Sequence, residues 1–368
     1  MDWAFTEEQD QLAALTRQIL ERELTEERMR AIERAEDRYD DTLFAQLGAA
    51  GVIGVGLPSS VGGGDGGLIE QCRVLVEIGR AVAPVPVLPV MVAAGAIAAF
   101  GTDAQKEAYV RDAAAGRRVL TTALVEDLNL DPASPSTTAQ RTDGGWTLSG
   151  QKTTVPAGTI ADVFLVPALT SDGAAVFVVE RGDAGVTTSH QKVTDTGAEA
   201  VLDLDGVPLA DDRRLAGEDA IGWLIRHYTV GLSAVQLGVC ERALELTAEY
   251  SKTRIQFERP IATFQAVGQR LADAYIDVNA IRLTMWQAAW RLAEGLPCDT
   301  EIATAKFWAA DAGHRVAHTA VHVHGGMGID LDYHLNRYFV AAKRIEFALG
   351  GATEQLVALG AALANEPA

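Results

Sequence analysis

The sequence reads Arg254-Ile255-Gln256-Phe257-Glu258-Arg259-Pro260-Ile261-Ala262-Thr263-Phe264-Gln265 between two long helical stretches. Before it, apolar residues spaced by three, four or seven predict one long helix with a core-facing stripe: Leu232, Val235, Val239, Leu246 and Tyr250. After it, the same period predicts helices over about 266–294, 300–322 and 333–364, the last with a possible break at Gly350-Gly351. Long helices joined by short turns predict an antiparallel bundle.

The rest of the chain has two zones of different character. Residues 6–115 show helical periodicity, interrupted by a glycine-rich loop at 57–67. From 116 to 212, short β-rich runs are separated by Gly, Pro and Asp, at 146–148, 163–166, 175–179 and 200–204. We therefore expect an α+β fold, mostly α, with an N-terminal helical domain (1–115), a small middle β-barrel or sheet (116–212) and a C-terminal four-helix bundle (213–368). The order lacks the strand–helix alternation and the Gly-x-Gly-x-x-Gly turn of a nicotinamide dehydrogenase.

The composition is that of a strongly acidic protein. The chain has 368 residues, with 31 Lys+Arg against 50 Asp+Glu, and a formal charge of −19 at pH 7. Because nucleic acids and anionic membranes attract an excess of Lys and Arg, neither is expected as a partner. The uncharged stretch 81–100 contains three prolines, which favours a buried helix over membrane insertion. Three scattered cysteines and no basic-then-apolar leader favour a cytoplasmic protein.

Four segments together resemble the acyl-CoA dehydrogenase family. The 254–265 segment resembles the family's Arg-x-Gln-Phe-Gly-x-Pro-Ile-x-x-Phe-Gln, and 322–328 (His-Val-His-Gly-Gly-Met-Gly) is similar to its Gln-Val-His-Gly-Gly-Met-Gly turn. Leu57-Pro58 with Gly62-Gly63-Gly64, and Gly150-Gln151-Lys152, resemble its glycine loop and its Asn-Gly-x-Lys strand. The resemblance implies FAD-dependent α,β-desaturation of an acyl-CoA thioester, in which a carboxylate removes the α-proton.

The resemblance also implies one half of a FAD site. Arg254 and Phe257 fall where the family contacts the pyrophosphate and adenine half of FAD from a neighbouring subunit, and the planar fork of an Arg suits phosphate. The implied cofactor-binding residues are Arg254, Phe257, Gln265, His322, Gly325, Gly326 and Gly328. Lys152 and Arg259 are expected to help hold the anionic ligands. Glu258 replaces a family Gly, at a position where the backbone is expected to need positive φ. Two plainer interpretations stay open, a solvated Arg254 at a helix end and a glycine turn that only caps a helix.

The flavin end of the site departs from the family pattern. Residues 125–132 replace the family's Thr-Glu-Pro-x-Ala-Gly-Ser-Asp and lack the small Gly and Ser that accept the flavin. Val155-Pro156-Ala157-Gly158 replaces Ile-Thr-Asn-Ala, and a proline cannot donate a backbone hydrogen bond. Two parts of the flavin pocket are therefore altered.

No catalytic base is found at either of the family's two positions. The usual glutamate falls at Gly350, and the alternative position lies at or beside Tyr228, where His227 is a weak candidate. We therefore predict a hetero-oligomer, α2β2, in which a related subunit carries the catalytic Glu. This resembles the heteromeric branch of actinobacterial steroid side-chain degradation and suggests a bulky acyl-CoA. The alternatives are a purely structural subunit, or a homo-oligomeric flavin-dependent dehydrogenase or oxidase with an atypical base.

A metal site is not expected. His314, His318 and His322 are spaced for one helix face, but no set of carboxylates accompanies them. Packed or capping histidines explain the spacing better.

Overall fold

The computed structural model describes residues 4–129, 131–195 and 197–365. Leu130, in the altered segment 125–132, lies outside the described residues. The chain divides into two compact units. The helical unit comprises the chain up to Glu21, Cys72–Ala83 and everything from Thr229 onward; the mixed unit comprises Arg22–Gln71 and Pro84–Tyr228. The predicted domain limits at 115 and 212 stay predictions.

Helices carry most of the regular structure. In chain order they are α1 (Glu7–Glu23), α2 (Glu26–Glu33), α3 (Asp41–Ala49), α4 (Leu68–Ala81), α5 (Val87–Phe100), α6 (Asp103–Gln105), α7 (Arg111–Ala114), α8 (Ala220–Thr253), α9 (Gln265–Ala293), α10 (Asp299–His324), α11 (Leu335–Phe347) and α12 (Ala352–Asn365). The strands are β1 (Leu120–Thr122), β2 (Thr138–Thr142), β3 (Gly145–Val155), β4 (Val163–Thr170), β5 (Gly173–Glu180), β6 (Val186–His190), β7 (Ala200–Leu209), β8 (Ile255–Gln256) and β9 (Arg259–Pro260).

The mixed unit is built on a seven-stranded sheet of order β1-β4-β2-β3-β7-β6, with β5 paired to β4. Alternation along β7 buries Ala200, Leu202 and Leu204 on one face, as period-two patterning requires. The four β-rich runs of the sequence all lie within strands, so the prediction of a middle sheet is confirmed. Nearly every residue of α5 is buried, which confirms a buried helix in the stretch 81–100.

The helical unit is a bundle in which α10 contacts α9, α11 and α12. Small residues line the buried face of α10 and let its neighbours approach closely, as at Ala309 and Gly313. The side-chain amide of the fully buried Gln236 on α8 donates to the carbonyls of Ala309 (3.1 Å) and Ala342 (3.4 Å). The last predicted helix is split into α11 and α12 around Gly350-Gly351, so the bundle and its break are both confirmed.

One stretch of the described residues, Leu335–Ala364, is long and apolar enough to span a membrane, with mean hydropathy 1.3. It is interrupted at residues 348–351, and Leu335, Ala341, Ala342 and Ile345 of α11 are buried. None of its apolar window is buried among the described residues, and a single stretch of this kind, broken in the middle, is weak evidence for a membrane span.

Candidate functional site

The segment 254–265 folds as a tight hairpin. β8 pairs with β9, which makes Phe257 and Glu258 a two-residue turn. Both residues have positive φ, 50° and 66° respectively. Such turns favour Asn-Gly, because few other residues adopt this conformation at low cost. The expected positive φ at Glu258 is confirmed, and a phenylalanine occupies the other strained position.

The side chain of Phe257 projects into solvent and is 87% exposed. Its ring meets the ring of Phe264 at a centroid distance of 6.1 Å and an angle of 81°. The guanidinium group of Arg259 lies 4.2 Å from the Phe264 centroid, so this arginine also helps to hold that ring. An exposed aromatic side chain on a strained backbone gains little within its own chain, which points to a ligand or a partner.

The hairpin forms one wall of a pocket of about 320 Å³. The pocket is lined by Gln256, Phe257, Ile261, Phe264, Ala266, Val267, Arg270, His322 and Val323. It therefore brings together Phe257 and His322, which come from distant parts of the sequence. A second pocket, of about 580 Å³, shares Ala266 and Arg270 with the first. Both volumes are in the range of small-molecule sites.

Arg254 and Gln265 flank the hairpin without lining this pocket. The Arg254 N–H donates to the Tyr250 carbonyl and the Arg254 carbonyl accepts from the Ile261 N–H, both at 2.9 Å. The arginine side chain is exposed, and no ion pair engages it within the described residues. Its backbone is thus fixed while its guanidinium group is available to an anion.

The glycine turn follows α10 directly. Gly325 has φ +62°, which ends the helix as a left-handed residue. At Gly328 a Cβ would lie 2.9 Å from the backbone of Val321, so only glycine allows the turn to fold against α10. Gly326 meets no such neighbour within 4 Å, and it is exposed. The turn therefore presents exposed backbone close in sequence to His322 and Val323, which line the pocket.

A buried ion pair joins the altered flavin segment 125–132 to strand β3. Lys152 is 0% exposed, and its ammonium donates to Glu126 Oε1 at 2.6 Å. The same carboxylate accepts from the backbone N–H groups of Ser136 (2.6 Å) and Thr137 (2.9 Å) and from the Thr137 hydroxyl (2.7 Å). Burial raises the pKa of Glu126, but these donors outweigh burial and hold the pKa far below its ordinary value. The expectation that Lys152 meets an anionic ligand is wrong, because Glu126 already neutralises it.

The second altered segment, 155–158, is likewise occupied by contacts of the chain itself. Ala157 has φ +53° and Thr154 φ +45°. The Pro156 carbonyl accepts from the Thr121 hydroxyl at 2.5 Å, and the Thr154 N–H donates to Gln191 Oε1 at 2.5 Å. The Pro156 carbonyl and the Thr154 N–H are therefore both engaged by other residues of the chain.

Gly350, where the family resemblance places the usual catalytic glutamate, has no side chain. Gly350 has φ +88°, and a Cβ there would lie 3.1 Å from Gln355 Nε2 and from Glu354 Cβ. The Glu354 carboxylate accepts from the Gly351 N–H at 2.9 Å, which ties it to the start of α12. Lys306, fully buried, donates to the carbonyls of Ile345, Glu346 and Gly350 at 2.9–3.1 Å. The turn is thus held by buried hydrogen bonds from Lys306.

His227 is a poor substitute for that base. Its Nδ1 donates to the Trp223 carbonyl at 2.8 Å, and its ring stacks on Trp223 at 3.6 Å. Desolvation by burial is the main cause that lowers the pKa of His227 to about 4. A base with so low a proton affinity is badly matched to removing an α-proton near neutral pH.

The helix-spaced histidines do not form a metal centre among the described residues, where no group of three or more metal ligands occurs. His314 contacts the Glu346 carboxylate at 3.2 Å and lies 4.3 Å from the His318 ring. His322 lines the cofactor-sized pocket instead.

Replacement of Glu258 by glycine tests the strain in the hairpin turn. We expect Glu258→Gly to raise the free energy of unfolding by about 0.5–1 kcal/mol, because glycine adopts positive φ without steric cost. Urea denaturation measures the change. The matched control, Glu249→Gly in the exposed last part of α8, should instead destabilise by about 1 kcal/mol; a loss of stability at both positions would contradict strain at Glu258.

The helical, β and helical zones are those of the acyl-CoA dehydrogenases, which are FAD-dependent CH–CH oxidoreductases, and the chain belongs to that family. Family models match the N-terminal domain at residues 6–117, the middle domain at 126–202 and the C-terminal domain at 216–363.

Within this family, the chain is similar to several proteins of known sequence or structure. The chain is 47% identical to "Acyl-CoA dehydrogenase FadE27" of Mycobacterium tuberculosis, with 100% of both chains covered. It is similar to a chain of the ChsE4-ChsE5 complex of M. tuberculosis (TM-score 0.96, 47% identity, 100% of both chains). It also resembles a variant of the Tcur3481-Tcur3483 steroid ACAD (TM-score 0.93, 43% identity, 98% of both chains).

The family implies FAD, and the described residues fit only one half of it. The exposed Phe257, the available Arg254 and the open glycine turn suit the adenine and pyrophosphate groups. In the first altered segment, in contrast, the Glu126 carboxylate is engaged by Lys152, Ser136 and Thr137. In the second, the Pro156 carbonyl accepts from the Thr121 hydroxyl. Sequence reasoning missed the role of Glu126 and Lys306, since partners distant in sequence give no local signal.

Proposed function

We propose that this chain is one subunit of a hetero-oligomeric FAD-dependent acyl-CoA dehydrogenase, in which it completes the cofactor site of a related subunit that carries the catalytic glutamate. The observation that carries the proposal is Phe257, held at φ +50° with its ring 87% exposed. What sets Phe257 apart from other exposed residues with positive φ is that its ring lines a pocket together with His322, where a ligand can contact it.

The residues around Phe257 supply what the adenosine and diphosphate parts of FAD require. Phe257 offers an aromatic face to the adenine, Arg254 a guanidinium fork to the phosphates, and Gln265 an amide at the start of α9. His322 and Gly325–Gly328 form the other side, where glycines admit close backbone approach. FAD, when bound, supplies the redox chemistry of α,β-desaturation.

This chain moves no proton of its own in the proposed reaction. Gly350 has no side chain, and the buried His227 is a weak base. A carboxylate of the partner subunit must therefore remove the α-proton, which supports a pair of unlike subunits in an α2β2 assembly.

Exposed apolar residues on the helical unit support such a partner. They lie on α9 (Tyr275, Ile276 and Leu283) and on α12 (Leu356, Val357 and Leu363), each at least half exposed. Large apolar side chains clustered on exposed helix faces are typical of protein–protein contacts. The ChsE4-ChsE5 complex, as its name states, is an assembly of two components.

The proposed substrate is a bulky acyl-CoA such as the CoA ester of a steroid side chain, since one similar structure is described as a steroid ACAD. Both FAD and CoA are anions, while the chain carries a formal charge of −19. Individual cationic side chains such as Arg254 must therefore attract FAD and CoA locally, because the net negative charge of the chain repels them. All three cysteines are buried, and none forms a disulfide within the described residues, as is usual for proteins of the cytoplasm.

Expression of the chain alone and together with a family member that carries the glutamate tests the proposal. We expect FAD absorbance and dehydrogenation of a steroid side-chain CoA ester only from the co-expressed pair. A homo-oligomer of this chain alone, with full FAD occupancy and activity, would show that the base is atypical instead. Assembly without any need for this chain's FAD-facing residues would show a purely structural subunit.

A further inference from the structure

His324 joins the two segments that are proposed to hold FAD. It is the last residue of α10, 4% exposed, and precedes the glycine turn directly. Its ring stacks on the ring of Tyr250 at a centroid distance of 4.1 Å and an angle of 22°. Tyr250 lies near the end of α8, and its carbonyl accepts from the Arg254 N–H at 2.9 Å. One stacked pair thus links the arginine segment to the glycine turn.

The remaining contacts of His324 hold the ring in place. Its Nδ1 donates to the Ala320 carbonyl, one helical turn earlier, at 2.8 Å. On another side lies the Tyr333 ring, at a centroid distance of 5.6 Å. The Nε2 atom is buried and finds no hydrogen-bond partner among the described residues. The imidazole therefore acts as a flat, neutral wedge between tyrosines, and burial lowers its pKa accordingly.

We propose that His324 is a positioning residue for FAD binding. Its ring holds the Gly325–Gly328 turn at a fixed distance from the end of α8, which Arg254 follows directly. The inference rests on the function proposed above, because it assigns these two segments to one FAD molecule. Binding across two segments gains affinity when both are held at a fixed separation beforehand. Loss of the stack should leave each segment folded but loosely placed relative to the other.

The experiment measures FAD affinity of the heteromer by titrating FAD into the deflavinated complex. We expect loss of the aromatic stack in His324→Ala to weaken FAD binding by about tenfold, which corresponds to about 1.4 kcal/mol. His324→Phe should stay within about threefold of the native complex, because it keeps the stacked ring and loses a single hydrogen bond. Rescue by phenylalanine distinguishes a positioning ring from a catalytic imidazole.

Two further variants separate positioning from a general loss of stability. Met285→Ala removes a fully buried side chain of α9 outside the stack, and should leave FAD affinity within about threefold although it destabilises the bundle. Tyr250→Ala attacks the stack from the other side, and should match His324→Ala without adding to it in the double variant. This second route decides the matter if His324→Ala does not fold.

Unchanged FAD affinity in His324→Ala, or an equal loss in Met285→Ala, would overturn the positioning role. A native complex that binds FAD without sensitivity to Phe257→Ala would instead overturn the proposed function, whatever His324→Ala does. The two failures are thus distinguishable.

Discussion

Replacement of Lys152 by methionine is expected to lower the free energy of unfolding by about 3–5 kcal/mol, the usual loss when one partner of a buried ion pair is removed. The reason is that Glu126, itself 7% exposed, would keep its charge without a counter-ion. Chemical denaturation of the isolated chain measures the change. The control is Gln151→Met on the same strand, whose exposed amide pairs only with Asp203 and should lose less than about 1 kcal/mol.

The double variant Glu126→Gln/Lys152→Met should recover part of the loss, since no unpaired charge then remains. A double variant as unstable as Lys152→Met alone would mean that packing, and not charge, accounts for the effect. A fall in pH should lower the free energy of unfolding, as Lys152→Met does. The folded-state pKa of Glu126 lies below its ordinary value of 4.5, so the stabilisation is present above that pH and is lost as the pH falls below it.

Truncation of Phe257 or Arg254 in the heteromer is expected to weaken FAD binding by about 10–100-fold each. For Arg254→Ala the cause is the loss of charge-assisted hydrogen bonds to phosphate, worth about 1.5–3 kcal/mol. For Phe257→Ala it is the loss of aromatic contact with the adenine. Equilibrium titration of FAD into the deflavinated heteromer gives both values.

Leu128→Ala is the matched control for Phe257→Ala. Leu128 is 97% exposed and has φ +58°, so it resembles Phe257 in exposure and in backbone conformation. It lies in the altered flavin segment, and we expect no change in FAD affinity on its truncation. A loss at Leu128 equal to the loss at Phe257 would mean that this chain holds flavin at its own altered segment.

Periodicity and motif spacing predicted the bundle, the middle sheet and the break at Gly350-Gly351 because these features depend on local pattern. The expected positive φ at Glu258 was also confirmed, since a glycine in the family pattern marks a backbone requirement. The assignment of Lys152 to an anionic ligand failed for a physical reason. Its partner Glu126 lies on another segment, and only the fold shows that the two charges neutralise each other out of solvent.

In the candidate site, too, the motifs within one segment could be predicted from the sequence, whereas the contacts between distant segments could not. The 254–265 and 322–328 segments were recognisable separately. Their common pocket forms where the hairpin and the start of α9 meet the end of α10, and the stack of His324 on Tyr250 joins α10 to α8. No sequence pattern predicts this contact, because neither Tyr250 nor His324 differs in local pattern from other residues of a helix. The turn clamped by Lys306 is a further example.

The ratio of FAD to protein in the purified heteromer distinguishes a shared cofactor site from a complete site on every chain. If this chain completes a partner's FAD site and forms none of its own, as proposed, each pair of unlike subunits should hold one FAD. Flavin absorbance against total protein, with native mass spectrometry of the intact assembly, gives the ratio. The account predicts one FAD per pair; one FAD on every chain, this one included, would contradict it.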